Sequence, residues 1–280
     1  MPDHEAPPRA IMKGKENPRL FKEFGVDLRA MDLGFRISDN SYFNEFDLKF
    51  VQISVWHKGP ADVERVRSLS DEVKKSGKRF VIHPFSLCLS ETRKEERKYY
   101  LDMLERYARI ADLGLILHDE TVPGVGRLGG IWEEAYTEAL SRIKKICPVS
   151  IENGTDCRNV VRFWKTFAGS IVFDIGHFEV AGMDCTGVMD EMGPGLLGKL
   201  DYIHLHRKGD LREGMGIRDH WPLEEGCPEL AVLKRLLELR PGAKVILEVD
   251  GKADLAQSLK VLKGAAFSRN QRKNKIPNGK

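Results

Sequence analysis

The chain has 280 residues, of which 41% are hydrophobic and 31% charged, a balance that supports one large folded domain and excludes disorder throughout. No stretch approaches the roughly 18 to 20 continuous apolar residues of a membrane helix, and the opening MPDHEAPPRAIMKGKENPR lacks a signal peptide's apolar core, so no membrane partner and a cytoplasmic location are expected. The formal charge of +3 is unevenly spread: residues 265–280 carry Arg269, Arg272, Lys273, Lys275 and Lys280 without an acid, leaving about −2 on the rest.

Residues 1–30, rich in proline and mixed charge, read as a poorly ordered segment, and a single domain is expected over 31–264. Within it, short apolar or β-branched runs recur: MDLGFRI (31–37), FVQISV (50–55), RFVIH (79–83), LGLILH (113–118), PVSIE (148–152), SIVFD (170–174), DYIHLH (201–206) and KVILEV (244–249). Helical stripes fall between most of them. Val63, Val66, Leu69 and Val73 draw one before Gly77. Thr92 and Glu95 spell a capping box ahead of a second stripe, Leu101, Leu104, Ala108 and Ala111, which Gly114 should stop. Eight strands alternating with helices suit an α/β fold of the (β/α)8 TIM-barrel type. The first connection, about 12 residues, leaves room for one short helix at most. Residues 265–280 form a basic tail, to which any nucleic-acid affinity is assigned. The five cysteines, Cys88, Cys147, Cys157, Cys185 and Cys227, contain no CxxC pair, so free thiols are expected rather than disulfides or a zinc ribbon.

Histidine placement carries the functional signal. His57, His83, His118, His177, His204, His206 and His220 all fall at or after the C-terminal ends of expected strands, the rim where barrels build their active sites. Glu152, Asp174 and Glu248 end the fifth, sixth and eighth strands. Together with His204 they offer the mixed oxygen and imidazole ligation suited to Mn²⁺, Mg²⁺, Co²⁺ or Zn²⁺. Burying such carboxylates without a cation would be costly. Gly124, Gly126 and Gly129 also spell GxGxxG, with Glu152 a plausible distance on. The stretch from His118 to Gly124 is too long for a pyrophosphate turn, so no nucleotide cofactor is expected and 119–131 reads as a loop over the mouth.

VIHPF (81–85), LILHDE (115–120), IENG (151–154), FDIGHFEVAGMD (173–184), HLH (204–206), DHWPLEEG (219–226) and LEV (247–249) together resemble the xylose-isomerase-like TIM-barrel superfamily, over about residues 31–260. The resemblance implies one of two chemistries. In the sugar isomerase and epimerase branch, Glu152, Asp174, His204 and Glu248 would hold one divalent metal. Glu152 and Glu248 would then be the catalytic pair, exchanging a proton across an enediolate of a sugar or sugar phosphate. In the endonuclease IV branch, His83, His118, Glu152, Asp174, His177, His204, His220 and Glu248 would match eight of nine ligands to three zinc ions that cleave a phosphodiester. The ninth ligand, an aspartate, falls on Arg218, with Asp219 beside it, and HLHRKGD stands where that branch resembles HLNDSK. Isomerisation or epimerisation is therefore the leading expectation and phosphoester hydrolysis the alternative. His206, Asp219 and His220 are further metal or substrate contacts. Arg207, Lys208, Arg212 and Arg218 suggest an anionic substrate, and Trp221, Trp56 and Phe85 are candidate walls for a sugar ring.

Overall fold

The computed structural model describes residues 31–39, 42–122, 127–154, 156–209 and 219–267. Eight parallel strands, β1 (Leu33–Ile37), β2 (Phe50–Trp56), β3 (Arg79–Phe85), β4 (Leu115–His118), β5 (Val149–Glu152), β6 (Ser170–Asp174), β7 (Leu200–Leu205) and β8 (Lys244–Leu247), form a closed barrel. Each strand pairs with its neighbour in the chain, and β1 closes on β8 through Leu33 opposite Val245 and Phe35 opposite Leu247. This is the α/β TIM barrel expected from the eight apolar runs.

The helices are α1 (Pro60–Lys75), α2 (Lys94–Ile110), α3 (Ile131–Lys144), α4 (Val160–Phe167), α5 (Ile175–Ala181), α6 (Cys185–Leu197), α7 (Pro228–Leu239) and α8 (Lys252–Phe267). The short first connection holds a single 3-10 turn, Phe43–Glu45. The stripe Val63, Val66, Leu69 and Val73 is buried on α1, as are Leu101, Leu104 and Ala108 on α2. Gly114 precedes β4 at φ +122°, and a Cβ there would lie 2.4 Å from the Pro148 carbonyl oxygen, so the chain needs glycine at this crossing. The expected capping box does not form. Helix α2 starts at Lys94 behind Arg93, which makes no side-chain cap, because Glu91 has already taken the Thr92 and Arg93 amides at 3.0 and 2.9 Å.

Strand pleating sorts the side chains into two layers. Phe50, Val81, Ile116, Val172, Tyr202 and Ile246 pack together as an apolar floor inside the barrel. With a side-chain period of two, the residue two positions further along each of these strands or strand ends occupies the next layer toward the C-terminal mouth: Gln52, His83, His118, Asp174, His204 and Glu248. Glu152 stands opposite His118 in the ladder and Asp174 opposite His204. The floor is closed to solvent and apolar, and the layer above it is almost entirely ionisable. Among the described residues no helix is long and apolar enough to cross a membrane.

Candidate metal centre

Glu152, Asp174, His204 and Glu248 converge, their ligand-type atoms lying within 4.8 Å of one another and all four side chains buried. His83, His118 and Glu152 make a second group on the same criterion, and His177, His206 and His220 a third. Glu152 belongs to both of the first two. Its Oε1 lies 2.9 Å from His204 Nδ1, while its Oε2 lies 2.9 Å from His83 Nε2 and 3.6 Å from His118 Nε2. Glu248 Oε2 approaches His204 Nδ1 at 3.0 Å and His220 Nε2 at 3.7 Å. Asp174 Oδ2 is 3.6 Å from both His204 Nδ1 and His177 Nδ1.

Hydrogen bonds fix which ring nitrogens carry protons. His83 Nδ1 faces the Ile116 carbonyl at 2.9 Å, and a carbonyl only accepts, so that nitrogen bears the hydrogen. In the neutral ring Nε2 is then a lone pair, pointed at the Glu152 carboxylate. His177 Nδ1 is likewise held by the Asn153 carbonyl at 2.8 Å, leaving Nε2 toward Asp219 Oδ2 at 3.7 Å. His83 Nε2, His118 Nε2, His204 Nε2, Glu152 Oε2 and Glu248 Oε2 are buried without a hydrogen-bond partner. The His83 Nε2 lone pair and Glu152 Oε2, 2.9 Å apart, are two buried acceptors that repel, and a divalent cation would satisfy both. The residues therefore fit a carboxylate and imidazole metal site.

Without a cation the electrostatics divide the imidazoles: despite burial, His204, His118 and His177 are drawn toward the protonated form by the carboxylates, and His83 is not. Burial holds the His83 imidazole below its ordinary pKa and therefore neutral, the form a metal requires. Burial alone would lower His204 as well, but the carboxylates of Glu152 and Glu248 outweigh it and raise its pKa well above normal. Burial also opposes the charges on Glu152 and Glu248, yet the surrounding imidazoles, His204 foremost, keep both carboxyls well below the usual range. Asp119, beside the cluster, is pushed by burial up to about 6 despite accepting the Gly154 amide at 2.6 Å.

Outer partners hold these side chains in place. Asn153 donates to the Asp174 carbonyl at 2.9 Å and accepts the Asp174 amide at 2.7 Å, clamping the ends of β5 and β6 together. The His177 amide donates to Asp174 Oδ1 at 2.6 Å, so this carboxylate also caps α5. Gln52 Nε2 donates to Glu248 Oε1 at 2.8 Å, and Arg36 Nη1 sits 3.6 Å from the same oxygen while also pairing with Asp250. Arg36 and Gln52 escape a reading based on histidines and strand-end acids. The signal for both is the two-residue offset: Arg36 follows Gly34 and Gln52 follows Phe50, as His83 follows Val81.

The other expected residues fall at varied distances from the centre. His57 stands apart, bonding the Tyr107 and Tyr99 hydroxyls at 2.9 and 2.7 Å. Arg207 donates to Glu224 at 2.6 Å and to the Pro222 carbonyl at 3.2 Å, and its guanidinium lies over the Trp221 ring. Lys208 Nζ donates to the Glu179 carbonyl at 2.9 Å. Both cations are thus engaged within their own surroundings. Trp56 is 66% exposed at the mouth, stacked on Phe85 with centroids 5.0 Å apart, and Phe85 leans on His83 at 4.2 Å. Arg212, Arg218, Gly124, Gly126 and the 268–280 part of the tail lie outside the described residues, as does 1–30. Gly129 lies just before α3, whose N-cap is Gly130.

No family model matches the chain, and no curated protein does. Solved structures do. A D-tagatose 3-epimerase-like protein superposes with TM-score 0.65 at 16% identity, over 87% of this chain and 100% of that one. Endonuclease IV from Thermus thermophilus gives TM-score 0.59 at 18% identity, over 84% and 99%. A xylose isomerase domain containing protein from Salmonella typhimurium gives 0.58 at 12%, over 89% and 99%. The barrel closure and these superpositions together show that the chain shares the TIM-barrel fold of these proteins.

Proposed function

We propose that the protein is a divalent-metal-dependent enzyme whose barrel mouth holds more than one cation, and that it hydrolyses a phosphoester. The supporting observation is the second oxygen of Glu152. An isomerase of this design needs Glu152 facing a substrate carbon, with one oxygen available to take its proton. Here Oε1 turns to His204 and Oε2 turns to the lone pair of His83, with His118 beside it. A carboxylate in that position bridges two ligand groups. The sequence alone puts isomerisation first; the geometry around Glu152 supports the hydrolase reading.

Glu152, Asp174, His204 and Glu248 would hold one cation, and His83 and His118 a neighbouring one shared through Glu152. Bound divalent metals supply a Lewis acid for a phosphoryl oxygen and a coordinated water of lowered pKa. The chain's own residues do the rest. The Ile116 and Asn153 carbonyls hold His83 and His177 in the metal-binding tautomer. Gln52 and Arg36 orient Glu248, and Arg36 is held in turn by Asp250. The apolar floor of Phe50, Val81 and Ile246 keeps water from reaching the site from below.

A second reading, sugar isomerisation on a single metal, draws support from His204, whose Nδ1 has Glu152 at 2.9 Å and Glu248 at 3.0 Å as a flanking acid pair. The solved relatives named above span both chemistries. One experiment separates the two. The protein loaded with Mn²⁺ or Zn²⁺ is given bis(p-nitrophenyl) phosphate in one arm and ketohexoses in D₂O in the other. Metal-dependent release of nitrophenolate supports the hydrolase. Deuterium wash-in at a carbon of the sugar, without phosphodiester cleavage, would restore the isomerase reading to first place.

A further inference from the structure

His206 lies in the third histidine group, yet its bonding sets it apart from its neighbours. Its Nδ1 accepts the backbone amide of His220 at 2.9 Å. Its Nε2 faces both oxygens of Asp174, at 3.1 and 3.2 Å. One neutral tautomer satisfies both contacts, with the proton on Nε2 donated to Asp174 and the lone pair on Nδ1 spent on the amide. No lone pair is left for a cation, whereas the Nε2 of His177 keeps one.

The ring is wholly buried and closely fitted. A Cβ on residue 176 would lie 2.0 Å from His206 Cε1 and 2.2 Å from Nδ1, so only glycine lets α5 pass over it. On the far side, His220 adopts φ +59°, the left-handed conformation, uncommon for a residue with a side chain and held here by its surroundings. Two contacts do so. Arg207 and Trp221 exchange backbone hydrogen bonds at 2.9 and 3.1 Å immediately after it, and His206 takes its own amide. In that conformation the His220 imidazole reaches Glu248 Oε2 at 3.7 Å and Asp219 Oδ1 at 3.4 Å.

We infer that His206 is a positioning residue: fixed by Asp174, it holds the His220 backbone in its left-handed turn and so sets the His220 imidazole against the metal centre. The role of His220 at that centre rests on the metal reading above, but the hold on its backbone does not.

The test is hydrogen exchange on the full chain without metal, followed by a Co²⁺ titration. His206→Leu removes the acceptor, and exchange in a peptide covering 219–223 should quicken by about tenfold, the loss expected for one buried hydrogen bond. His206→Asn keeps an oxygen close to the place of Nδ1 and should restore slow exchange. Co²⁺ affinity should weaken about tenfold in the leucine variant and recover in the asparagine variant, with the visible Co²⁺ spectrum following. Unchanged exchange in His206→Leu would overturn the inference. So would an asparagine variant as impaired as the leucine one, since an acceptor at the place of Nδ1 would then not be what holds the His220 amide. Faster exchange with unchanged Co²⁺ affinity would overturn the link to the centre. Should His206→Leu fail to fold, Gly176→Ala displaces the same ring with one methyl, and unchanged exchange there would be equally fatal. Wild-type protein that takes up no Co²⁺ would overturn the metal reading and leave the exchange result standing.

Discussion

Glu152 is wholly buried, carries a full charge, and uses each oxygen on a different imidazole group. Replacing it by glutamine changes one oxygen into an amide that can donate to the His83 lone pair. The two consequences have opposite signs. Glu152→Gln should lower metal affinity by more than the roughly 10- to 100-fold typical of outer partners. The metal-free protein should melt at the same temperature or higher, because a buried acceptor pair becomes a hydrogen bond worth about 1 kcal/mol. Metal titration and thermal melting of the metal-free protein check both halves, and unchanged metal content would remove Glu152 from the centre. His57 gives a second residue-scale prediction, at a site separate from the cluster. Burial lowers its pKa below the ordinary value, so the unfolded chain binds a proton there that the folded chain refuses. Its contribution to stability is present above the unfolded pKa near 6.5 and declines as pH falls through that value. The stability advantage of wild type over His57→Gln, measured by urea unfolding, should therefore shrink between pH 8 and pH 5. An advantage that grows on acidification would contradict a neutral His57 bonded to Tyr99 and Tyr107.

At the scale of elements, the barrel is legible in the sequence because every strand has an apolar run and most connections carry a helical stripe. The site is partly legible for a related reason: a strand of period two that ends in a histidine or acid must point that group into the same interior as the apolar residue two positions before it. Arg36 and Gln52 obey the same rule, but arginine and glutamine on a strand usually mark an exposed face, so their types alone hide them. The start of α2 departs from its capping signal because Glu91, one residue before the expected Thr92 cap, takes the Thr92 amide that Glu95 would accept in a capping box, and is anchored by Arg93. The bonds made by Arg207 and Lys208 depend on Glu224 and Glu179, residues 17 and 29 positions away, which no local pattern connects. Packing also yields a prediction here. Leu104 is completely buried where α2 meets the barrel wall, and Leu104→Ala should cost about 2 to 5 kcal/mol by leaving a cavity. Exposed Leu239 at the end of α7, changed the same way, should cost little. Denaturant midpoints compare the two, and equal losses would refute the packing assignment.

For the whole molecule, the central question is what balances three buried carboxylates at one end of the barrel. In the metal-free chain Arg36, 3.6 Å from Glu248, and protonated imidazoles such as His204 do so, while His83, held neutral by burial, is a poor contributor. The fold thus carries several buried acceptors without a hydrogen-bond partner at its C-terminal mouth, directly above an apolar floor. A cation that binds the folded chain and not the unfolded one stabilises by mass action, by about 2.7 kcal/mol at a hundredfold excess over its dissociation constant. For a chain of this size that corresponds to a rise in melting temperature of about 5 to 10 °C. Adding Zn²⁺ or Mn²⁺ to chelator-treated protein should produce such a rise, and native mass spectrometry should find more than one ion per chain. The same treatment applied to protein ending after Phe267, the last residue of α8, should give the same shift and the same count, because the centre draws its ligands from strand ends and the loops that follow them. That truncated protein should also lose any salt-sensitive DNA affinity of the full chain, having shed five positive charges. A count of one ion per chain, with His83→Ala leaving it unchanged, would mean that Glu152 serves a single metal, and the isomerase reading would then be the better account of this barrel.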